Sequence, residues 1–335
     1  MFDGSMKDDM HSSRQYSIFN AWSALLLGAT LCALSLPVAA QSGAKNASGV
    51  ECPAFSKEHV QPLEGASLSA VYRSIDGHDL QLYIFDPPAH KSSDRAAVLV
   101  LFYGGGWSRG SPRQFETQAK YFARKGMVVV LADYRVRCRQ GASVTEAISD
   151  AKAAVRWVRS HSVSLGIDPS RVAAGGGSAG GHLALSTAIL DGEGEAATAG
   201  SVSSRPDALL LFSTPVDLTA GSIRSATGLD HDQSAELSPV NRLRRGLPPT
   251  LFLQGKDDHL VGIHTVEDYC AKARVLDNQC TVISFDAGHT FFNRNVQRGT
   301  NRSEDAKLRK KSNYYREALE NADKFLATLG YVSRP

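Results

Sequence analysis

The chain has 335 residues, 42% hydrophobic and 21% charged, with 29 glycines and a net charge of +3. This is the balance of an ordinary folded protein, and a chain this long can bury a core without a metal or a dense set of disulfides. It holds no long block of like charge, so Arg242–Arg245 and Lys307–Lys311 read as solvated faces and no nucleic-acid partner is expected.

Residues 21–36 form an uncharged apolar run that Pro37 ends, and Val38-Ala39-Ala40 fits a small-residue cleavage pattern. Arg14 supplies positive charge before it, whereas Asp3, Asp8 and Asp9 are out of place there, which leaves Met6 and Met10 open as starts. Residues 1–40 are therefore expected to be a signal peptide, with the mature chain starting near Gln41 in a secreted or periplasmic protein. The run is shorter than the roughly 20 residues of a spanning helix, so no stable membrane insertion is expected after cleavage. Four cysteines would remain, and an even number in an exported protein permits disulfides. Cys270 and Cys280 flank the end of a helical stretch and the start of a strand and make the better pair; Cys52 with Cys138 follows by elimination.

Residues 41–64 read as an N-terminal arm, and 65–335 as one catalytic domain. Two alternating segments, Ser67–Ser74 and Leu80–Phe85, flank Asp76-Gly77, a hairpin signal. Then strand and helix alternate. Ala96–Tyr103 and Met127–Ala132 are continuous apolar runs, as strands buried on both faces should be. Arg171–Gly175, Ala208–Phe212, Thr250–Leu253 and Thr281–Phe285 supply further strands. Arg113–Lys125 and Thr145–Ser160 predict helices, as do about 264–276 and 312–329. This order implies an α/β fold: a mainly parallel central sheet with helices on both faces and an antiparallel hairpin at one edge. Residues 191–205 read as a polar loop, and 217–247 as the place for a small lid.

The strongest local signal is Gly175-Gly176-Gly177-Ser178-Ala179-Gly180-Gly181-His182. A short strand precedes it and a helix-forming run follows, the context in which Gly-x-Ser-x-Gly exposes a serine on a sharp strand-to-helix turn. The bland alternative is a glycine-rich turn or a phosphate loop, but no lysine follows as a phosphate loop requires. A nucleophilic serine needs a base, and the base an orienting carboxylate, in the chain order serine, acid, histidine. His264 and His289 lie far enough downstream; His289 follows the last core strand, whereas His264 starts a helical pattern. His182, four residues after Ser178, reads as packing, and His259 as a loop residue. Asp257 and Asp258 compete as the acid after Thr250–Leu253, with Asp217 a weaker fallback and Asp286 too close to His289 in sequence. Tyr103-Gly104-Gly105-Gly106-Trp107 ends a buried strand, where glycine N–H groups can approach a developing oxyanion.

Taken together, LFYGGGW, ADYRV, ISDAKAAVRWVR, IDPSRVAAGGGSAGGHLAL, SPVNRLRRGLPPTLFLQGKDDHLV and FDAGHTFF resemble the α/β-hydrolase esterases of the hormone-sensitive-lipase and feruloyl/acetyl-xylan-esterase-like (BD-FAE-type) groups, over about residues 65–330. The resemblance implies an α/β-hydrolase fold and a serine carboxylesterase with Ser178, Asp258 and His289 as triad; the family spacing of glycine, acid and valine fits Asp258 rather than Asp257. It also implies an oxyanion hole of Gly105, Gly106 and Ala179 N–H groups. Two positions depart from the family: Tyr103 stands for a histidine of the glycine loop, and Gln254 for a histidine common before the acid loop. The implied substrate is a small-molecule or carbohydrate ester with a short acyl group. No cofactor or metal is implied, because no His/Cys cluster has metal spacing. The rival readings are a peptidase or amidase on the same fold and a non-catalytic binding protein, which usually loses a triad member.

Overall fold

The computed structural model describes residue 52 and residues 63–190, 202–294 and 302–332. The expected signal peptide, most of the arm and most of the polar loop at 191–205 lie outside the described residues. A hairpin comes first: β1 (Leu68–Ile75) and β2 (His78–Phe85) pair antiparallel across Asp76-Gly77. Both turn residues have positive φ, 52° and 75°, as a two-residue hairpin turn requires.

Six more strands follow: β3 (Ala96–Phe102), β4 (Val128–Ala132), β5 (Ile167–Gly177), β6 (Ala208–Phe212), β7 (Thr250–Gly255) and β8 (Cys280–Phe285). The sheet order is β1-β2-β4-β3-β5-β6-β7-β8. β2 runs antiparallel to β4, and every pairing from β4 through β8 is parallel. β4, β6 and β7 are buried at every residue and β3 at all but its first, so both faces of the central sheet are covered. β5 is longer than the Arg171–Gly175 run predicts. Ile167 already pairs with Ala96 before a register shift, and the strand continues into glycines that carry no strand signal of their own.

α1 (Glu116–Arg124) packs on β4, α3 (Val144–Ser160) and α4 (Ala179–Ile189) on β5, α7 (Ile263–Val275) on β8 and α8 (Arg302–Thr328) on β7. α8 starts well before the predicted 312. Three short helices were not legible: α2 (Arg137–Gln140), and α5 (Gly221–Thr227) and α6 (His231–Glu236) in the segment expected to form a lid. A capping box, Ser143 with Glu146, starts α3. Its inner face also carries Asp150, fully buried, which accepts from Arg135 Nε and Arg73 Nη1, each at 2.8 Å. Burial raises the Asp150 carboxyl above its ordinary value despite these donors. Both disulfides form, Cys52–Cys138 and Cys270–Cys280, with Cα–Cα distances of 5.3 and 5.2 Å.

α4 is buried on every side, as a helix apolar all round must be. His182 sits inside it with no exposed surface, and its Nε2–H donates to the Leu237 carbonyl at 3.0 Å. Burial drives its pKa from 6.5 down to about 4, outweighing the opposite pull of that carbonyl. The folded protein therefore keeps His182 neutral where the unfolded chain takes up a proton. The stability this contributes is present above the unfolded value and lost as pH falls from 6.5 towards about 4. Urea unfolding should show wild type losing roughly 3 kcal/mol more than His182→Gln over that interval. Equal losses in the two proteins would refute the assignment.

Candidate active site

Ser178 is the single residue between β5 and α4, and it makes the reversal with φ 53° and ψ −121°. A serine in that region is strained, and the turn closes only because its neighbours are small. A Cβ on Gly180 would strike the carbonyl oxygens of Phe102 and Tyr103 on the adjacent strand end.

Sequence places Asp258 and His289 after β7 and β8, and the structure brings both to the serine. Ser178 Oγ–H donates to His289 Nε2 at 2.9 Å, and His289 Nδ1–H donates to Asp258 Oδ2 at 2.8 Å. Ser178 and His289 are half-buried and face a cavity. Asp258 is buried behind them, and its Oδ1 accepts the Leu260 and Val261 N–H groups at 3.0 and 2.9 Å. Burial opposes ionisation of Asp258; the His289 ring and the Val261 N–H outweigh it and hold the carboxyl below its usual value.

The competing candidates are elsewhere. Asp257 is exposed, Asp217 accepts from Thr219, and Asp286 bonds Lys256 at 2.9 Å. His259 is an exposed loop residue, and His264 is exposed in the first turn of α7.

The His289 loop is anchored beyond the histidine. The Phe292 ring packs against those of Phe115 and Phe212, with centroids 5.9 and 5.6 Å away. Gln118 Nε2 donates to the Phe292 carbonyl at 2.8 Å.

The glycine loop leaves β3, the neighbour of β5. Its first peptide is held at both ends by side chains. Tyr134 Oη–H donates to the Tyr103 carbonyl at 2.7 Å, and Gly104 N–H donates to Gln114 Oε1 at 2.6 Å. The Gly105 carbonyl accepts from Ser108 and Arg109 N–H, both at 3.2 Å. Gly105 has φ +138°, open only to glycine, and a Cβ there would strike the Arg109 carbonyl. Among the described residues, the Gly105 and Gly106 N–H groups donate to no acceptor. Ala179 N–H, in the first turn of α4, has no intrahelical acceptor either.

Tyr103, which stands for the family histidine, is buried and stacked on Tyr134 at 4.1 Å. Its hydroxyl meets Asp133 Oδ1 at 2.9 Å and is bonded by Arg139. Gln114, Tyr134 and this Asp133–Arg139 pair support the site but are not among the residues singled out from sequence. The only signal for any of them is the run Ala132-Asp133-Tyr134-Arg135-Val136 inside the family resemblance.

The cavity measures about 420 Å³. Its walls are the glycine loop from Gly104 to Arg109, Gln114, Ser178 and His289, closed by Ile223 and Ala226 of α5 with Leu260, Thr290, Phe292 and Asn293. Trp107 contributes an edge and is otherwise buried, packed edge-on to His182 with centroids 5.3 Å apart. Among the described residues, no group of three or more His, Cys, Asp or Glu could hold a metal ion.

Known proteins resemble this arrangement. The BD-FAE family model matches residues 82–272, which include Ser178 and Asp258 and end before His289. The carboxylesterase NlhH of Mycobacterium tuberculosis is 34% identical over 113 residues, 33% of this chain and 34% of that protein. The probable carboxylic ester hydrolase LipM of the same organism is 26% identical over 223 residues, 62% of this chain and 51% of that protein. The chain thus spans about a third to a half of the length of these curated relatives. Propionate-bound esterase 2 of Thermogutta terrifontis is 35% identical, with a TM-score of 0.72 over 82% of this chain and 98% of that chain. The fold, the family match and these neighbours agree: the chain belongs to the BD-FAE family, α/β-hydrolase esterases of the hormone-sensitive-lipase type.

Proposed function

We propose that this protein is a serine carboxylesterase that hydrolyses short-chain acyl esters, acylated carbohydrates among them, with Ser178, His289 and Asp258 as its triad. The observation that carries the reading is the unbroken relay of hydrogen bonds, Ser178 to His289 at 2.9 Å and His289 to Asp258 at 2.8 Å. His289 takes the serine proton as Oγ attacks the ester carbonyl, and Asp258 fixes the tautomer and stabilises the imidazolium. The carbonyl oxygen becomes an oxyanion, for which Gly105, Gly106 and Ala179 have unused N–H groups. The leaving alcohol takes its proton from His289. Water then attacks the acyl-enzyme through the same base and frees the acid.

The short acyl group follows from the walls. Ile223, Ala226, Leu260 and Phe292 provide only a shallow apolar lining, and α5 and α6 are too short to cover a long trench. Thermogutta terrifontis esterase 2, a structural neighbour, has been solved with propionate and with butyrate. Export with a mature start near Gln41 is part of the same reading. It is supported by two disulfides, which persist in oxidising compartments.

Ser178→Ala should fold normally and lose about 10⁴-fold or more in turnover of p-nitrophenyl acetate. Activity within about tenfold of wild type would overturn the nucleophile. Asp258→Asn should cost about 10⁴-fold through the wrong histidine tautomer, while Asp257→Asn, altering an exposed side chain, should leave turnover nearly unchanged. On a series of p-nitrophenyl esters, rates should peak from acetyl to butyryl and fall steeply beyond about eight carbons, where added methylenes find no apolar wall. Palmitoyl esters cut as fast as butyryl esters would show a longer trench.

A further inference from the structure

We infer that Gln254 is a positioning residue for the acid: its side-chain amide fixes the Asp258 carboxylate and moderates the grip of that carboxylate on His289. The inference rests on the esterase reading above.

Gln254 lies near the end of β7 with no exposed surface, and it is absent from the walls of the cavity. Its Nε2 donates to Asp258 Oδ2 at 3.0 Å, the same oxygen that accepts from His289 Nδ1 at 2.8 Å. The second Nε2–H donates to the Val261 carbonyl at 2.8 Å, while Val261 N–H returns to Asp258 Oδ1 at 2.9 Å. The amide thus closes the acid loop from 258 to 261 into a ring of hydrogen bonds around the carboxylate.

The orientation of the amide is determined. Turned over, its oxygen would face both a carboxylate and a carbonyl. As placed, Gln254 Oε1 is buried with no donor. The residue thus leaves one polar atom of its own unpaired while its Nε2 serves the buried Val261 carbonyl and the carboxylate. What the amide gains in exchange is a charge-assisted bond to the buried carboxylate.

Two donors on Oδ2 share its negative charge. Without the amide, that charge would face the imidazolium alone and hold its proton more tightly, so the acid limb of the pH–rate profile would move to higher pH. An imidazolium that holds its proton more tightly also yields it less readily to the leaving alcohol, lowering kcat. The other titratable groups around the pair are Asp257 and His259 on the acid loop, Lys256 bonded to Asp286, His264 in the first turn of α7 and Tyr314 of α8, whose ring meets Phe285. None bonds Asp258 or His289, so the substitution leaves their contacts in place.

The test is Gln254→Met, close in volume and without a donor, read by kcat/KM against pH and by the far-downfield Nδ1–H proton resonance of His289. The acid limb should rise by about one pH unit, kcat should fall several-fold with KM little changed, and the resonance should move further downfield. If the limb and the resonance match wild type, even in a variant with a lower Tm, Gln254 is only a structural anchor and the inference is wrong. Should Gln254→Met fail to fold, Gln254→Asn keeps an amide one methylene too short for Oδ2; it should shift the limb and the resonance in the same direction, and no shift overturns the inference. The resonance needs no turnover. Failure of the esterase reading would instead appear as wild type and Ser178→Ala behaving alike on esters.

Discussion

Everything at the site depends on one backbone constraint, the reversal of the chain at Ser178. Its φ of 53° and ψ of −121° belong to a region that side chains avoid, at a cost of about 1–3 kcal/mol. The surroundings hold it there. β5 is bonded to β3 on one side and β6 on the other, and α4 is buried along its whole length. Neither element can relax without disturbing the core, so the serine stays projected from the end of the sheet. The position also decides what can surround it. The chain passes from β3 to β4 on one side of it and returns to β5 on the other, so the order of the sheet turns between β3 and β5 and the loops that leave these two strands diverge. The crevice outside the strand ends is a consequence of topology, and the cavity of about 420 Å³ lies in it.

The same topology explains which parts were legible in the sequence. Strands buried on both faces must read as apolar runs, and β3, β4, β6 and β7 do. The serine, acid and histidine loops follow β5, β7 and β8, so chain order and spacing suffice to nominate Ser178, His289 and the pair Asp257 and Asp258. Choosing within the pair took the family spacing; the structure separates them by burial, Asp258 behind the histidine and Asp257 in solvent. What sequence missed are contacts whose partners lie far apart in the chain. Gln118 holding the Phe292 carbonyl spans 174 residues, and nothing local to Gln118 announces it. Asp150 interrupts the apolar stripe of α3 and reads as a surface residue until Arg135 and Arg73 are seen to meet it. α5 and α6 are too short for a helical period to emerge.

The glycine loop shows how such unseen contacts determine chemistry. A run of three glycines could offer any of its N–H groups to an oxyanion. Gln114 removes the first by accepting from Gly104, and Tyr134 fixes the carbonyl on the other side of that peptide. The loop is held from behind as well: Arg137 and Cys138 N–H, in α2, donate to the Trp107 and Ser108 carbonyls at 3.0 and 2.9 Å. Cys138 is in turn bonded to Cys52 of the N-terminal arm. With its ends tied, the loop leaves Gly105 and Gly106 as its only uncommitted glycine donors. Dipoles that are already oriented need not reorganise as charge develops, which is where most of the value of an oxyanion site lies. Tyr103 fits the same logic. Its ring stacks on Tyr134 and its hydroxyl is held by Asp133 and Arg139, so its contribution is to hold Tyr134 in place. The change of side chain at that position therefore alters the support of the loop and leaves its donors untouched.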